Sequence, residues 1–470
     1  MRRSIIRCIQ RKDKIMNKEL FYEKKSFYET FGENEVVAAH KYAEGYMKYL
    51  DAAKTEREAV SYSIELAKAE GFVPYTLGMK VTVGGKYYFN NRGKNLFLFT
   101  IGSESLENGI RISAAHIDSP RIDLKQCPVY EDAGMGFFKT HYYGGIRKYQ
   151  WVATPLALHG VIVKMDGTVV DVCIGENDED PVFYINDLLP HLGYEDDKKP
   201  LGSAIPAEKL NILVGSQPCG DESNAIKYNV LKLLNEKYGI TEADFMSAEI
   251  SAVPAAKARD IGFDRSLIGA YGHDDRVCAY PALSAIFESA DSEHSLMCIL
   301  ADKEEVGSDG NTGMQADIML DLINEISASL GVNPTLVRAN SKCLSADVSA
   351  AYDPNFAEVF EKRNSALLSC GTVLTKYTGS RGKGGTNDAS AEYIGWLRGI
   401  MQKDNVLWQS AELGKVDCGG GGTVAKYISK HNIETVDLGV PVIAMHAPYE
   451  VVSKVDVYET YRAFRAFCKY

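Results

Sequence analysis

The sequence predicts an α/β fold, a mixed sheet layered by helices, interrupted by a second, β-rich domain. Three observations carry that expectation. From Gly269 onward helical and strand patterns alternate, which implies a sheet covered by helices. Between about residues 123 and 254 the texture changes to β-like runs and polar turns. The chain has 470 residues with 45% hydrophobic content. It can therefore bury a large core, and it matches roughly two to three domains at about 150 residues each.

The chain opens on Met1-Arg2-Arg3-Ser4-Ile5-Ile6-Arg7. This stretch is basic but lacks the apolar core of a signal peptide. Residues 1–15 are expected to be a disordered extension, with Met16 as an alternative start. Residues 19–71 read as helical. Val36-Val37-Ala38-Ala39 and the set Tyr42, Ala43, Tyr46, Met47 and Leu50 recur at helical spacing, and residues 57–69 repeat the theme. Residues 80–83 and 86–89, joined across a Gly-Gly pair, predict a hairpin. Strands are expected at 95–100 and at 110–115, the latter ending at His116. In the middle region, 161–163 and 168–173 are β-like, and 193–203 is polar and turn-rich. Beyond it come a helix over 277–290, a strand over 296–301, a helix over 314–330, and strands over 343–347 and 441–446. The expected organisation is one discontinuous domain, 16–122 with 255–470, carrying an inserted β-rich domain at 123–254. No internal repeat or low-complexity segment appears.

The formal net charge of −11 argues against nucleic acid as a partner, because phosphate binding needs clustered Lys and Arg. No apolar run approaches the ~18 residues needed to span a membrane. The ten cysteines include no Cys-x-x-Cys pair, and Cys173 and Cys298 sit inside apolar runs. This is the usage of reduced thiols in a cytoplasmic protein.

The most informative stretch is Asp302-Lys303-Glu304-Glu305-Val306-Gly307-Ser308, directly after the apolar run 295–301. Carboxylates at the end of a core strand are costly unless something neutralises them. A metal ion does so, and adjacent acids can then divide metal binding from proton transfer. Further candidate ligands stand at strand ends or in the turns after them: His116, Asp274, Asp347 and His446. Asp118, two residues from His116, suits a partner that fixes the imidazole tautomer. Each of these residues has a plain structural alternative, such as a helix cap for Asp274 or a core histidine for His446. Together they give two imidazoles, three carboxylates and no thiolate, with Glu304 left over as a base. That set suits two zinc-like ions sharing one carboxylate, at the sheet edge where open α/β folds place their active sites.

These residues resemble the aminopeptidase I / aspartyl aminopeptidase family of dinuclear metallo-exopeptidases. The matching elements, in order, are His116-Ile117-Asp118-Ser119-Pro120, Tyr143-Gly144-Gly145-Ile146, Asp274-Asp275-Arg276, Glu304-Glu305-Val306-Gly307-Ser308, Ser345-Ala346-Asp347, and Val436-Asp437-Leu438-Gly439 leading to Met445-His446. The resemblance implies a three-layer, mixed-sheet zinc-exopeptidase domain with a butterfly-type inserted dimerisation domain. It implies that His116 and Asp347 complete one metal site, Glu305 and His446 the other, and that Asp274 bridges them. Glu304 would take a proton from a metal-bridging water and pass it to the leaving amine, while Asp118 orients His116. It further implies a non-proline cis peptide at Asp274-Asp275, two divalent ions (zinc, with cobalt or manganese also accepted by such ligands), short peptide substrates, and assembly as a homo-oligomeric dodecamer. His191 would align with a histidine lent to a neighbouring subunit's active site. Lys376 would align with a pocket lysine that recognises acidic N-terminal residues.

Two departures bear on specificity. Ala350 stands where the acid-specific branch carries a histidine, and His273 precedes the bridging Asp where an apolar residue is commoner. Neutral or apolar N-terminal residues are therefore an alternative to acidic ones. Two other readings compete with the peptidase: a catalytically silent shell or cargo protein of the same fold, and a related dinuclear deacylase or carboxypeptidase. The run Cys418-Gly419-Gly420-Gly421-Gly422-Thr423 lacks the Gly-Lys-Ser/Thr of a phosphate loop. It is expected to form a tight turn or to offer backbone donors near the substrate. Residues 381–386 are expected to form a loop at the pocket mouth.

Overall fold

The computed structural model describes residues 20–221 and 223–470. The expected extension over residues 1–15 and the alternative start at Met16 lie outside them. Three sheets occur among the described residues. The largest has nine strands. Its centre is four parallel strands in the order Ser295–Ala301, Ile110–His116, Lys342–Ser345 and Glu434–Gly439. Antiparallel neighbours flank this centre on both sides, with Asn95–Thr100 against the first strand and Thr372–Thr375 against the last.

Helices cover both faces, as the alternation predicts. The strand Asn95–Thr100 is buried at every position. Leu96 and Leu98 join a core with Tyr46, Leu50, Ala282, Phe464 and Phe467, whereas Phe97 and Phe99 join another with Leu322, Ile323 and Ile326. Alternate side chains thus serve opposite helical layers, the pattern of a sheet buried on both faces. The helix Glu33–Ala52 directs Ala39, Ala43, Tyr46, Tyr49 and Leu50 inward. The next helix, Glu56–Ala69, starts at a full capping box between Thr55 and Glu58, the reciprocal bonding that satisfies N-terminal amides.

A seven-stranded antiparallel sheet lies wholly between Arg121 and Pro254. It has its own core, including Ile122, Phe138, Trp151, Leu158, Ile162, Ile212 and Phe245. The third sheet was not anticipated. Its five short strands follow the order Arg259–Ile261, Leu267–Ala270, Glu450–Ser453, Pro441–Ile443 and Ser349–Ala350.

Two elements differ from expectation. Residues 80–83 form no strand; the hairpin is made by Lys86–Asn91 with Asn95–Thr100. The outer edge of Lys86–Asn91 is occupied by Val73–Pro74. The amide of Val81 instead donates to Ser329 Oγ, so the segment is held by a helix side chain rather than by a ladder. The second difference is at 441–446, where the strand stops at Ile443 and both Ala444 and His446 adopt positive φ. His446 therefore sits in a turn and does not close a strand.

Candidate active site

The parallel centre of the large sheet brings together residues far apart in sequence. Ala301 pairs with His116, and Ser345 with Ala114, so three strands end side by side. His116 closes its strand, Glu304 and Glu305 lie in the short turn Glu304–Val306 just after Ser295–Ala301, and Asp347 follows Lys342–Ser345. The small third sheet delivers the rest. Leu267–Ala270 leads into the helix His273–Glu288, whose first turn carries Asp274, and His446 follows Pro441–Ile443. The Asp274-Asp275 peptide is cis, as the resemblance implies.

Asp274 stands between the two imidazoles. Its Oδ1 lies 3.2 Å from His116 Nε2, and its Oδ2 lies 3.2 Å from His446 Nε2. Asp347 Oδ1 is 4.0 Å from His116 Nε2, and Glu305 Oε1 is 3.6 Å from His446 Nε2. Backbone carbonyls fix both tautomers: His116 Nδ1 donates to the Asp118 carbonyl at 3.0 Å, and His446 Nδ1 to the Gly145 carbonyl at 2.8 Å. Each Nε2 consequently faces the carboxylates.

The crowded acids call for positive charge: burial opposes it, yet Asp118 and Asp274 raise the His116 pKa well above its ordinary value, and Asp274 and Glu305 raise that of His446 to about 10, a charge that a bound divalent ion would supply instead. Ligands about 2.0–2.2 Å from a tetrahedral zinc ion lie roughly 3.3–3.6 Å from one another, against 3.2, 3.2, 3.6 and 4.0 Å here. Asp274 Oδ1 and Glu305 Oε1 are buried without a hydrogen-bond partner, as are both oxygens of Asp275. Ligand atoms of Asp275 also fall within 4.8 Å of those of His116 and Asp347. Burial, reinforced by neighbouring acids, pushes the carboxyls of Glu305, Asp347 and Asp275 well above the usual range. Burial likewise raises Glu304 to about 7, with Asp118 and Asp274 adding to it and His116 and His446 opposing. A crowd of carboxylates driven toward protonation is one that divalent ions relieve. The residues fit a metal centre.

Asp118, fully buried, holds the turn that carries the two glutamates. Its Oδ1 accepts from Glu304 N at 3.1 Å, and its Oδ2 accepts from Glu305 N at 3.2 Å and from Tyr143 Oη at 2.8 Å. Its carboxylate is 3.4 Å from His116 Nδ1, so the imidazole is oriented chiefly by the Asp118 backbone.

His116, Asp274, Glu304, Glu305, Asp347 and His446 all line one cavity of about 260 Å³. Its other walls include Val348, Thr375, Leu413, Met445 and the run Gly420 to Thr423. The glycine run meets the neighbouring loop closely: a Cβ on Gly420 would stand 2.4 Å from the Gly379 carbonyl oxygen. Thr423 Oγ1 donates to the buried Asp437 at 2.7 Å, and burial raises the Asp437 carboxyl to about 7.

Lys376 and His191 are not brought to this cavity. The Lys376 ammonium pairs with Asp388, although its neighbour Thr375 lines the wall. His191 is exposed, in a turn of the 121–254 region. His273 is a core residue. Tyr46 Oη bonds its Nδ1 at 2.7 Å, its Nε2 donates to the Ile268 carbonyl, and burial lowers its pKa to about 3.

Sequence reasoning missed several contributors. Tyr143 and Gly145 stood in a recognised motif without a role, and Asp275 was noted only as the neighbour of Asp274. Glu450 had no local signal. Its Oε1 accepts from His446 N at 2.7 Å and its Oε2 from Asp274 N at 3.1 Å.

Comparison with known proteins shows the family. The family described as "Aminopeptidase I zinc metalloprotease (M18)" matches residues 49–468. The "Probable M18 family aminopeptidase 1" of Clostridium acetobutylicum is 48% identical over 462 residues, 96% of this chain and 99% of the relative. That of Thermotoga maritima is 45% identical over 431 residues, 90% and 95% of the two chains. Among solved structures, the M18-family aminopeptidase of Thermotoga maritima matches with a TM-score of 0.91 at 42% identity, covering 96% of this chain and 100% of that one. Aminopeptidase I of Clostridium acetobutylicum matches with a TM-score of 0.90 at 45% identity and the same coverage. The S. cerevisiae mApe1 dodecamer shares the fold at 21% identity, with a TM-score of 0.75 and coverage of 93% and 97%. A family match spanning most of the chain, relatives near half identity, and a cavity lined by candidate metal ligands agree: the chain belongs to the M18 aminopeptidase I family of zinc metalloproteases, and it is a peptidase.

Proposed function

We propose that this peptidase is dinuclear, and that it removes the N-terminal residue of short peptides with Glu304 as general base. The carrying observation is the placement of Asp274, whose two oxygens each lie 3.2 Å from a different imidazole nitrogen. His116, Asp347 and Asp274 Oδ1 would hold one ion; His446, Glu305 and Asp274 Oδ2 would hold the other. Zinc fits the ligand set, and cobalt or manganese would be accepted too. When bound, the ions supply Lewis acidity, which makes water a usable nucleophile near neutral pH and stabilises negative charge on the peptide oxygen.

The chain's own groups do the rest. Glu304 lines the cavity without pairing with either imidazole, and it would be free to take the proton of the attacking water and return it to the leaving amine. Asp118 keeps the Glu304–Val306 turn in place through the two amide bonds described above. The Asp118 and Gly145 carbonyls hold each Nδ1–H, so that Nε2 is the nitrogen turned toward the site. At about 260 Å³ the cavity is smaller than a drug-sized ligand pocket, which suits one terminal residue rather than an internal segment.

For specificity, neutral or apolar N-terminal residues fit best. Among the described residues no Lys or Arg lines the cavity, Lys376 is occupied by Asp388, and Val348, Leu413 and Met445 offer apolar walls. The 123–254 region would be the dimerisation domain of a homo-oligomer, a dodecamer by analogy with the S. cerevisiae structure. In support, Leu188, Leu189, Leu192 and Tyr194 around His191 are all large, apolar and exposed, a patch suited to burial against a neighbouring subunit. His191 would there approach a partner's cavity. Nine unpaired cysteines among the described residues fit a cytoplasmic location, and no helix among those residues is long and apolar enough to cross a membrane.

The test is a panel of aminoacyl-p-nitroanilides on metal-stripped enzyme refilled with zinc, cobalt or manganese, together with metal analysis. Two ions per chain and metal-dependent release with Leu or Met ahead of Asp or Glu are expected. Hydrolysis unaffected by stripping refutes the mechanism. Cleavage of N-acetylated but not free-amine peptides would place the chain with the deacylases instead.

A further inference from the structure

We propose that Glu450 is a positioning residue: its carboxylate ties together the backbone amides of Asp274 and His446 and presets both for metal. This inference rests on the dinuclear reading above. The two segments it joins have no ladder bond of their own at these atoms. Asp274 N lies in the first turn of a helix, where amides lack an intrahelical acceptor. His446 N lies in a turn with φ of 66°. Glu450 accepts from both, at 3.1 Å and 2.7 Å.

Its own position is fixed independently. Glu450 opens the strand Glu450–Ser453 and sits opposite Ala270, the last residue of the strand that leads to Asp274. It is 1% exposed, and no Lys, Arg or His side chain forms an ion pair with it among the described residues. A buried carboxylate without a cation is destabilising on its own. Bonds from amides to a carboxylate are stronger than those to a neutral acceptor, and two of them converge here on the bridging ligand and one terminal ligand. Glu450 does not line the cavity, so it acts through those two residues rather than on substrate.

The Glu450→Gln variant keeps the shape but turns an NH₂ toward one of the two amides, so one bond is lost. Glu450→Ala loses both. Zinc affinity is to be measured on the full chain by competition with a chromophoric chelator, with His446→Ala as the reference. Amide hydrogen exchange at Asp274 and His446 is to be followed in the metal-free protein. The expected result for Glu450→Gln is a fall of about 10- to 100-fold in affinity for at least one zinc, faster exchange at one or both amides, and a lower kcat with KM little changed at saturating zinc. Wild-type affinity and unchanged exchange in Glu450→Gln would overturn the proposal. Should neither variant accumulate folded, exchange in the wild-type metal-free chain decides: slow exchange at both amides supports the tie, and fast exchange at both overturns it. If His446→Ala itself binds zinc as the wild type does, the metal reading fails. If His446→Ala loses zinc and Glu450→Gln does not, only the role of Glu450 fails.

Discussion

Replacing Asp118 by Asn separates two jobs that a carboxylate beside a metal-binding histidine can do. If its task were to orient His116, the change would fall mainly on zinc affinity. The geometry assigns most of that task to the Asp118 carbonyl, 3.0 Å from His116 Nδ1, which Asn retains. The carboxylate oxygens are instead spent on the amides of Glu304 and Glu305 and on the Tyr143 hydroxyl. Asn can offer its single oxygen to only one of the two amides; its NH₂ then confronts the other. Tyr143 can rotate its hydroxyl to accept from the NH₂, but a backbone N–H cannot. One buried amide therefore loses a charged acceptor, at about 1.5–3 kcal/mol, which corresponds to a factor of about 10–150 at 1.4 kcal/mol per decade. The loss should fall on kcat, because the displaced turn carries Glu304, with zinc content at both sites close to wild type. Tyr143→Phe, which removes one donor and leaves both amides paired, should lose much less. Steady-state kinetics at saturating zinc with metal analysis make the comparison. Asp118→Asn within threefold of wild type in kcat would refute the assignment of the turn to this carboxylate, and a selective loss of zinc would return the role to His116.

Glu304→Gln should lower kcat by about 10²–10⁴-fold with zinc content and KM little changed; retained hydrolysis would remove Glu304 as the base. Gly439→Ala places a Cβ 1.9 Å from the Asp347 carbonyl oxygen, so the Asp347 turn must move, and metal analysis of the purified variant should show a deficit relative to wild type. His159, buried between Glu58 and Glu176 at 2.7 and 3.0 Å, joins the helix Glu56–Ala69 to the seven-stranded sheet. Burial opposes its charge, yet bonding to Cys173, Glu176 and Glu58 prevails and raises its pKa to about 11. A raised folded-state pKa gives a contribution that is complete below the ordinary value of about 6.5 and is lost as pH climbs toward 11. His159→Leu should cost about 2 kcal/mol near pH 6, less than the usual buried-pair penalty because Lys54 and Lys257 still hold Glu176. It should also flatten the alkaline fall of the thermal midpoint, and an unchanged slope would refute the assignment. Lys376→Ala should leave the ratio of Leu- to Asp-p-nitroanilide hydrolysis within about threefold of wild type, since Asp388 already neutralises that ammonium; a collapse of Asp hydrolysis would restore the acid-pocket reading.

The sequence exposed the site through anomaly. Glu304 and Glu305 follow seven consecutive buried residues, and His116 closes another fully buried strand. Charge at such points demands a compensating partner, so these candidate site residues were legible one by one, as were the long strands that carry them. The small third sheet was not. Ser349–Ala350 is too short to show a period of two, and Pro441–Ile443 was legible only as part of a longer strand, so nothing indicated that His446 would leave its strand early or that Asp274 and His446 would be neighbours. The supporting contacts were illegible for a different reason. Gly145 and Asp118 hold the imidazoles with backbone carbonyls, which every residue possesses, and a carbonyl in the right place has no signature in residue type. Lys376 shows the converse: a plausible residue at a plausible position, diverted by Asp388 twelve residues on. Glu450 lies between these cases. It is an acid in a strand, four residues beyond His446, and its partners are amides rather than side chains. Only the antiparallel pairing of its strand with Leu267–Ala270 brings it to Asp274, so its function exists at the level of sheet register and appears only once that register is known.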